Sequence, residues 1–281
     1  MVRRALGNHH VGPDTLLVTS DLETSDPVTS GLETSGPAKQ TGTVADETEH
    51  GAELTGLVRG ARYVLFDFDG PICRLFAGRP AAGIAREQVA WLDAQGLGDA
   101  LTPEERTDAD PHSALRSLGL QRPSSDLVVE MEKRLTEQEL QAVPTAWPTP
   151  YADPLIRTWS AVGARLAITT NNSPEVARRY LEGRGLSVCF EPHIYGRTQD
   201  LKRLKPDPYC LNRALNAMGA APAATLMIGD TPTDLRAAEA AGVAFLGYAR
   251  NENKKRLLRE AGASQVVESL QGLLRILLDR S

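Results

Sequence analysis

Asp67 and Asp69 stand two residues apart where the apolar run Tyr63-Val64-Leu65-Phe66 meets Gly70-Pro71. A strand repeats every two residues, so both carboxyls point to one side at the carboxyl end of that run. Two adjacent carboxylates repel, and the pair is tolerable when a divalent cation neutralises it or one member keeps a proton. A second run ends in Thr169-Thr170-Asn171-Asn172-Ser173-Pro174, which sets hydroxyl and amide groups beside a helix start whose free N–H groups attract an anion. Lys205, in Arg203-Leu204-Lys205-Pro206, offers a positive charge suited to a phosphoryl oxygen or to a carboxylate nucleophile. Gly229-Asp230-Thr231-Pro232-Thr233-Asp234 ends a fourth apolar run with two more carboxylates, hard oxygen ligands of the kind magnesium takes. Singly, each has a plain alternative: a strand-end Asp is often a helix cap, and Lys205 shares a basic stretch with Lys202 and Arg203. Independent caps have no reason to supply acid pair, hydroxyl, lysine and acid pair in that order, and the joint pattern reads as a functional site, with half a phosphate site at the second run.

Ligands of open α/β sheets bind at the carboxyl ends of the strands, so these residues need a parallel sheet to hold them. The sequence predicts strands at Tyr63–Phe66, Arg165–Thr169, near Val188–Phe190, at Thr225–Ile228 and at Val243–Leu246, with helices between most of them. Asp110-Pro111, Asp153-Pro154, Ser173-Pro174, Asp207-Pro208 and Thr231-Pro232 each pair a capping side chain with a proline at the first helical position. Between the first strand and the second, about residues 76–150 read as helices only (Ala82–Gln95, His112–Leu118, Ser124–Ala142), an insertion placed to act as a lid.

Residues 1–60 are rich in Thr, Ser, Gly and Glu, and Val18–Pro27 recurs almost unchanged as Val28–Pro37. They read as a disordered tail without a core of its own. The remaining organisation is first strand and flap at 61–75, helical insertion at 76–150, and the rest of the sheet domain at 151–281. Of 281 residues, 41% are hydrophobic and 24% charged, with a formal net charge of −5. This is a globular profile without the positive field that nucleic-acid binding needs, without an apolar stretch of membrane-spanning length, and with no secretory pattern after Arg3 and Arg4. Three scattered cysteines form neither a disulfide framework nor a zinc motif, and a cytoplasmic setting is expected.

The four segments resemble the four motifs of the haloacid dehalogenase (HAD) superfamily of phosphohydrolases. Asp67, Asp69 and Gly70 match the first, Thr170 with Asn171 the second, Lys205 the third, and Gly229, Asp230 and Asp234 the fourth. The position of the helical insertion resembles subfamily I, the group of phosphoglycolate phosphatase and β-phosphoglucomutase. The resemblance spans about residues 60–281. It implies a Rossmann-like three-layer α/β core with a parallel sheet, an inserted α-helical cap of the C1 type, and a Mg²⁺-dependent phosphatase acting on a small phosphorylated metabolite. Asp67 would be the nucleophile and Asp69 the acid and base. Thr170, Asn171 and Lys205 would bind phosphate; Asp67, Asp230 and the backbone carbonyl of Asp69 would hold the metal; Asp234 would orient that set.

Dehalogenases proper lack the second acid of the first motif, so the presence of Asp69 favours phosphate esters. A phosphosugar mutase keeps that acid as well, and a non-catalytic sensor or scaffold would usually have lost the nucleophile or the lysine, neither of which is lost. Arg74, in a flap unlike the common Thr-Leu-Val-Asp-Ser version, is a candidate substrate contact. Cys73, Trp91, Trp147 and Trp159 read as packing residues, and His112 and His193 as isolated histidines. The run Arg250–Arg256 reads as a solvated helix face.

Overall fold

The computed structural model describes residues 44–279, with side-chain surroundings from residue 51. Among these, β1 (Tyr63–Phe66), β4 (Arg165–Thr169), β5 (Ile194–Tyr195), β6 (Thr225–Gly229), β7 (Ala244–Tyr248) and β8 (Val266–Val267) form one parallel sheet in the order β5-β4-β1-β6-β7-β8. β2 (Cys73–Arg74) pairs antiparallel with β3 (Trp147–Pro148) in a separate ribbon. β1 is central, paired in register with β4 through Phe66↔Ile168 and with β6 through Phe66↔Ile228.

The period of two in β1 builds the layers. Val64 and Phe66 enter a core with Trp159, Tyr180, Phe190 and Leu273, while Leu65 enters another with Leu211, Met227 and Leu235. The first is covered by α1 (Val44–Gly60), α6 (Ala152–Ala161), α7 (Pro174–Arg184), α8 (Ser187–Phe190) and α12 (Gln271–Leu278), and the second by α9 (Tyr209–Met218), α10 (Pro232–Ala240) and α11 (Glu252–Glu260). Phe66 packs edge-on against Trp159 and Phe190, with ring centroids 5.9 and 6.0 Å away. Sheet and helices thus make the three-layer α/β fold that the pattern predicted.

The insertion is α2 (Ala81–Ala94), α3 (Pro103–Thr107), α4 (Ser113–Gln121) and α5 (Asp126–Ala142), joined to the sheet domain through the β2–β3 ribbon. It has its own core of Ile84, Leu92, Leu115, Leu118, Met131 and Leu135, completed by Leu201 and Leu204 from the segment after β5. Gly119 makes that closeness possible, since a Cβ there would come 2.4 Å from Leu201 Cδ1.

Three expectations need correction. First, Val44–Gly60 is helix rather than tail, because Leu54, Leu57 and Val58 fall at helical spacing and Val58 is fully buried in the core; the repeat at 18–37 lies outside the described residues. Second, Val188–Phe190 belongs to one helical turn. Leu186 and Phe190, four apart, face inward while Val188 is 87% exposed, and the edge strand is the shorter Ile194–Tyr195.

Third, the helix starts differ. Thr231 caps α10 in a reciprocal box with Asp234, and Ser173 holds the N-cap position of α7 without a capping bond from its side chain. Asp110 and Asp207 instead accept from the backbone N–H groups of His112 and Tyr209, turning the chain just ahead of the helix, and Asp153 lies inside α6. No described helix is long and apolar enough to cross a membrane.

Candidate active site

The Asp67 backbone N–H donates to Ile228 O at 2.9 Å, carrying the β1–β6 pairing one residue past the strand and fixing the carboxyl at its carboxyl end. Lys205 Nζ donates to Asp67 Oδ1 at 2.8 Å and to Thr169 O at 2.9 Å, and lies 2.5 Å from Asp234 Oδ1. Lys205 is fixed from behind by Asn171, whose Oδ1 accepts from the Lys205 N–H at 2.8 Å while its Nδ2 donates to the Lys205 carbonyl at 3.3 Å. Burial alone would depress the ammonium, but Asp234 and Asp67 outweigh it and hold Lys205 cationic, its pKa raised. Burial pushes the Asp67 carboxyl up to about 6 against the pull of Lys205, and Asp234 and Asp230 add to the rise.

Asp230 follows Gly229 at the end of β6 and is pushed up to about 6, by burial first, with Lys254 opposing and Asp234 adding. Its Oδ2 takes Lys254 Nζ at 2.7 Å, and its Oδ1 is buried with no hydrogen-bond partner among the described residues. Asp234 Oδ2 accepts from the N–H groups of Asp230 and Thr231, at 3.1 and 3.0 Å, and from Thr231 Oγ1 at 2.7 Å. Asp67, Asp230 and Asp234 bring carboxylate oxygens within 4.8 Å of one another. Three buried hard oxygen donors, one with an open valence, fit a small divalent cation.

Asp69 Oδ1 accepts from the Leu75 N–H at 2.8 Å, so the flap itself aims this side chain. Burial, opposed by that hydrogen bond and reinforced by Asp67, pushes its carboxyl up to about 6. Gly70 turns with φ +126° directly beneath Asp230, and its carbonyl accepts from Thr149 Oγ1 at 2.5 Å, tying the flap to the returning end of the insertion.

These groups open into a cavity of about 350 Å³. Asp67, Asp69, Thr170, Asn171, Lys205, Asp230 and Asp234 all line it, so the structure gathers the predicted residues from the ends of β1, β4 and β6 and from the loop between β5 and α9. Arg74 does not line it; its guanidinium sits 5.2 Å from the ring centre of Trp147 across the ribbon. The insertion contributes Asp110, His112 and Arg116, and the sheet domain adds Arg250 and Lys254. The basic run at 250–256 is therefore only partly a solvated face. Asn251 caps α11 and turns Lys254 inward, and a lysine in the first turn of a helix that follows a strand end was the available signal.

The anion at the start of α7 is a protein carboxylate. Glu139, fully buried on α5, accepts from the Ser173 N–H at 3.1 Å, from Asn172 Nδ2 at 2.9 Å and from Arg197 Nη1 and Nη2 at 2.9 and 3.1 Å. His112 Nε2 lies 3.2 Å from it, and His112 Nδ1 lies 2.9 Å from Asp110. Burial opposes a charge on His112, yet Asp110 and Glu139 raise it to about 9. Burial likewise opposes ionisation of Glu139, and Arg197 with His112 hold it well below the usual carboxylate range. Neither His112 nor Arg197 was singled out by local spacing, because their partners come from distant segments.

Comparison with known proteins agrees with this geometry. A family model described as haloacid dehalogenase-like hydrolase matches residues 61–242. A phosphoglycolate phosphatase of Rhodospirillum rubrum is 30% identical over 196 residues, covering 66% of this chain and 80% of that protein. Pyrophosphatase PpaX of Halalkalibacterium halodurans is 34% identical over 124 residues, covering 43% of this chain and 55% of its own. The crystal structure of a predicted phosphatase from Clostridium acetobutylicum aligns with a TM-score of 0.56 at 18% identity, covering 77% of this chain and 98% of that one, a likeness of fold. With the acid pair, the lysine and the Gly-Asp turn assembled on one sheet edge, the chain belongs to the haloacid dehalogenase-like hydrolases and is a phosphatase.

Proposed function

We propose that the protein is a Mg²⁺-dependent phosphatase that hydrolyses a small phosphorylated metabolite through an aspartyl-phosphate intermediate. The observation that carries this reading is the Asp67 carboxylate at the tip of the central strand, held by Lys205 at 2.8 Å and facing a cavity walled by Asp69. Asp67 attacks phosphorus in line, the bond to the leaving oxygen breaks, and Asp69 donates its proton to that oxygen. Asp69 then takes a proton from the water that attacks the phosphoryl group, which releases inorganic phosphate and restores Asp67. Thr170, Asn171 and Lys205 bind the phosphoryl oxygens, and Lys205 keeps Asp67 ionised while its own charge is shared with Asp234. Asp67, Asp230 and the Asp69 carbonyl would hold Mg²⁺, which supplies neutralising charge to the phosphoryl group; Asp234 orients Asp230 and Lys205.

Residues 76–150 act as the cap over this site and the segments at 61–75 and 151–281 as its catalytic half. The cap brings Arg116 to the cavity, its Nη2 3.9 Å from Asp110 Oδ2, a guanidinium suited to an anionic leaving group. That feature and the R. rubrum relative make phosphoglycolate the first substrate to test. The experiment is release of inorganic phosphate from phosphoglycolate, pyrophosphate, sugar phosphates and p-nitrophenyl phosphate, with Mg²⁺ or with EDTA, for wild type and Asp67→Asn. Turnover that needs Mg²⁺ and disappears in the variant is expected. Turnover that survives Asp67→Asn overturns the nucleophile.

A further inference from the structure

Glu139 is the point where the cap and the phosphate-binding loop share one carboxylate. It comes from α5 of the cap, yet four of its contacts are to the sheet domain: Asn172 Nδ2, Ser173 N, Arg197 Nη1 and Arg197 Nη2. Its remaining contact, His112 Nε2, leads to the cap wall of the cavity. Asn172 passes the connection on. Its Oδ1 accepts from Thr170 Oγ1 at 3.1 Å, and its backbone N–H donates to the same oxygen at 3.2 Å. Arg197 ties in the next residue, donating from Nη1 to Asn171 O at 3.0 Å, and reaches back to the cap through Glu132 Oε1 at 3.0 Å and Thr136 Oγ1 at 2.9 Å.

We propose that Glu139 is a positioning residue which, through Asn172 and the Ser173 amide, holds the 170–173 loop in its phosphate-binding shape only while the cap is seated on the sheet domain. Three physical points support this. Glu139 is fully buried and Arg197 is 4% exposed where α5 docks, so lifting the cap would break a buried ion pair and open both charges to water. Asn172 has its amide fixed at both ends, by Glu139 on Nδ2 and by the Thr170 hydroxyl on Oδ1, which braces the turn from Thr170 to Asn172 against the cap carboxylate. The Ser173 amide at the N-cap of α7 is already occupied by Glu139, so phosphate must rely on the side chains and loop that this carboxylate holds in place.

The inference rests on the 170–173 loop serving the phosphate, as in the proposed function, and the test separates the two. Glu139→Gln leaves Arg197 beside a neutral amide and endangers the fold, so Asn172→Ala, which removes no charge, is the deciding variant. Affinity for inorganic phosphate is measured by calorimetry on the Mg²⁺-loaded protein, alongside KM and kcat, for wild type, Asn172→Ala, Thr170→Val and the double variant. Loss of a well-placed bond to an anion corresponds to weakening by about tenfold or more. Asn172→Ala is expected to weaken phosphate binding and raise KM by about that factor, and the double variant to be no worse than Thr170→Val alone. Unchanged affinity in Asn172→Ala, or effects that simply add, overturns the inference while leaving the hydrolase reading intact. Wild type that binds phosphate but turns nothing over overturns the catalytic reading and leaves the inference to the affinities. Wild type that binds no phosphate overturns both.

Discussion

A Cβ on Gly70 would stand 2.4 Å from Cγ of Asp230, so the flap leaving the central strand passes against the carboxyl of the next strand with no room for a methyl group. Gly70 also has φ +126°, a conformation L side chains rarely adopt. The acid pair of one motif and the Gly-Asp of another are in contact here through the absence of a side chain.

Gly70→Ala should therefore lose activity more than stability. Backbone strain alone costs about 1–3 kcal/mol, and the clash displaces Asp230. Denaturant unfolding and a Mg²⁺ titration test this: a folded variant with weakened Mg²⁺ dependence is expected, and wild-type metal response would contradict the contact.

Mg²⁺ should raise the thermal midpoint. At about 100 times its Kd a ligand stabilises by about 2.7 kcal/mol, roughly 5–10 °C for a domain of this size. EDTA should reverse the shift and Asp230→Asn should remove most of it. A shift that is equal in Asp230→Asn would move the metal elsewhere.

Arg116→Ala should separate substrates. Where its guanidinium meets a charged leaving group, loss of that bond costs about 1.5–3 kcal/mol, or about 10–100-fold in kcat/KM for phosphoglycolate. p-Nitrophenyl phosphate, whose leaving group carries no carboxylate, should change little. Parallel losses on both would assign Arg116 to the fold.

His112 makes stability fall at alkaline pH. Its folded pKa, raised to about 9, exceeds the usual 6.5, so the folded state holds the proton more tightly. The contribution is full below about pH 6.5, declines above it and is gone above about 9, amounting to at most roughly 3 kcal/mol. Unfolding free energies across that window should show a decline that His112→Asn lacks; an identical slope in the variant refutes the assignment.

What could be read in advance follows from how local each signal is. Asp67, Asp69, Asp230 and Asp234 sit at fixed offsets from apolar runs and Lys205 in the turn before a helix, so the fold and the gathering of these residues around one cavity were legible. Edge strand β5 was not, because Ile194–Tyr195 is too short to show alternation beside the more apolar helical turn before it. Helix α1 hid in a polar stretch whose only stripe is Leu54, Leu57 and Val58. Arg197 and Glu139 are 58 residues apart, and nothing near either announces a buried ion pair; only the docking of α5 on the sheet domain creates it.

The insertion enters and leaves through β2 and β3, where Cys73 pairs with Pro148 and Arg74 with Trp147, so its two chain ends lie side by side. A module attached this way can be exchanged for another without cutting the sheet, which lets recognition diversify while the chemistry stays fixed. Glu139 and Glu132 set the terms of that exchange: a replacement that lacks carboxylates at both places would leave the Arg197 guanidinium without a counter-ion. In this chain the fit between the two halves rests on a buried charge cluster as well as on the hinge.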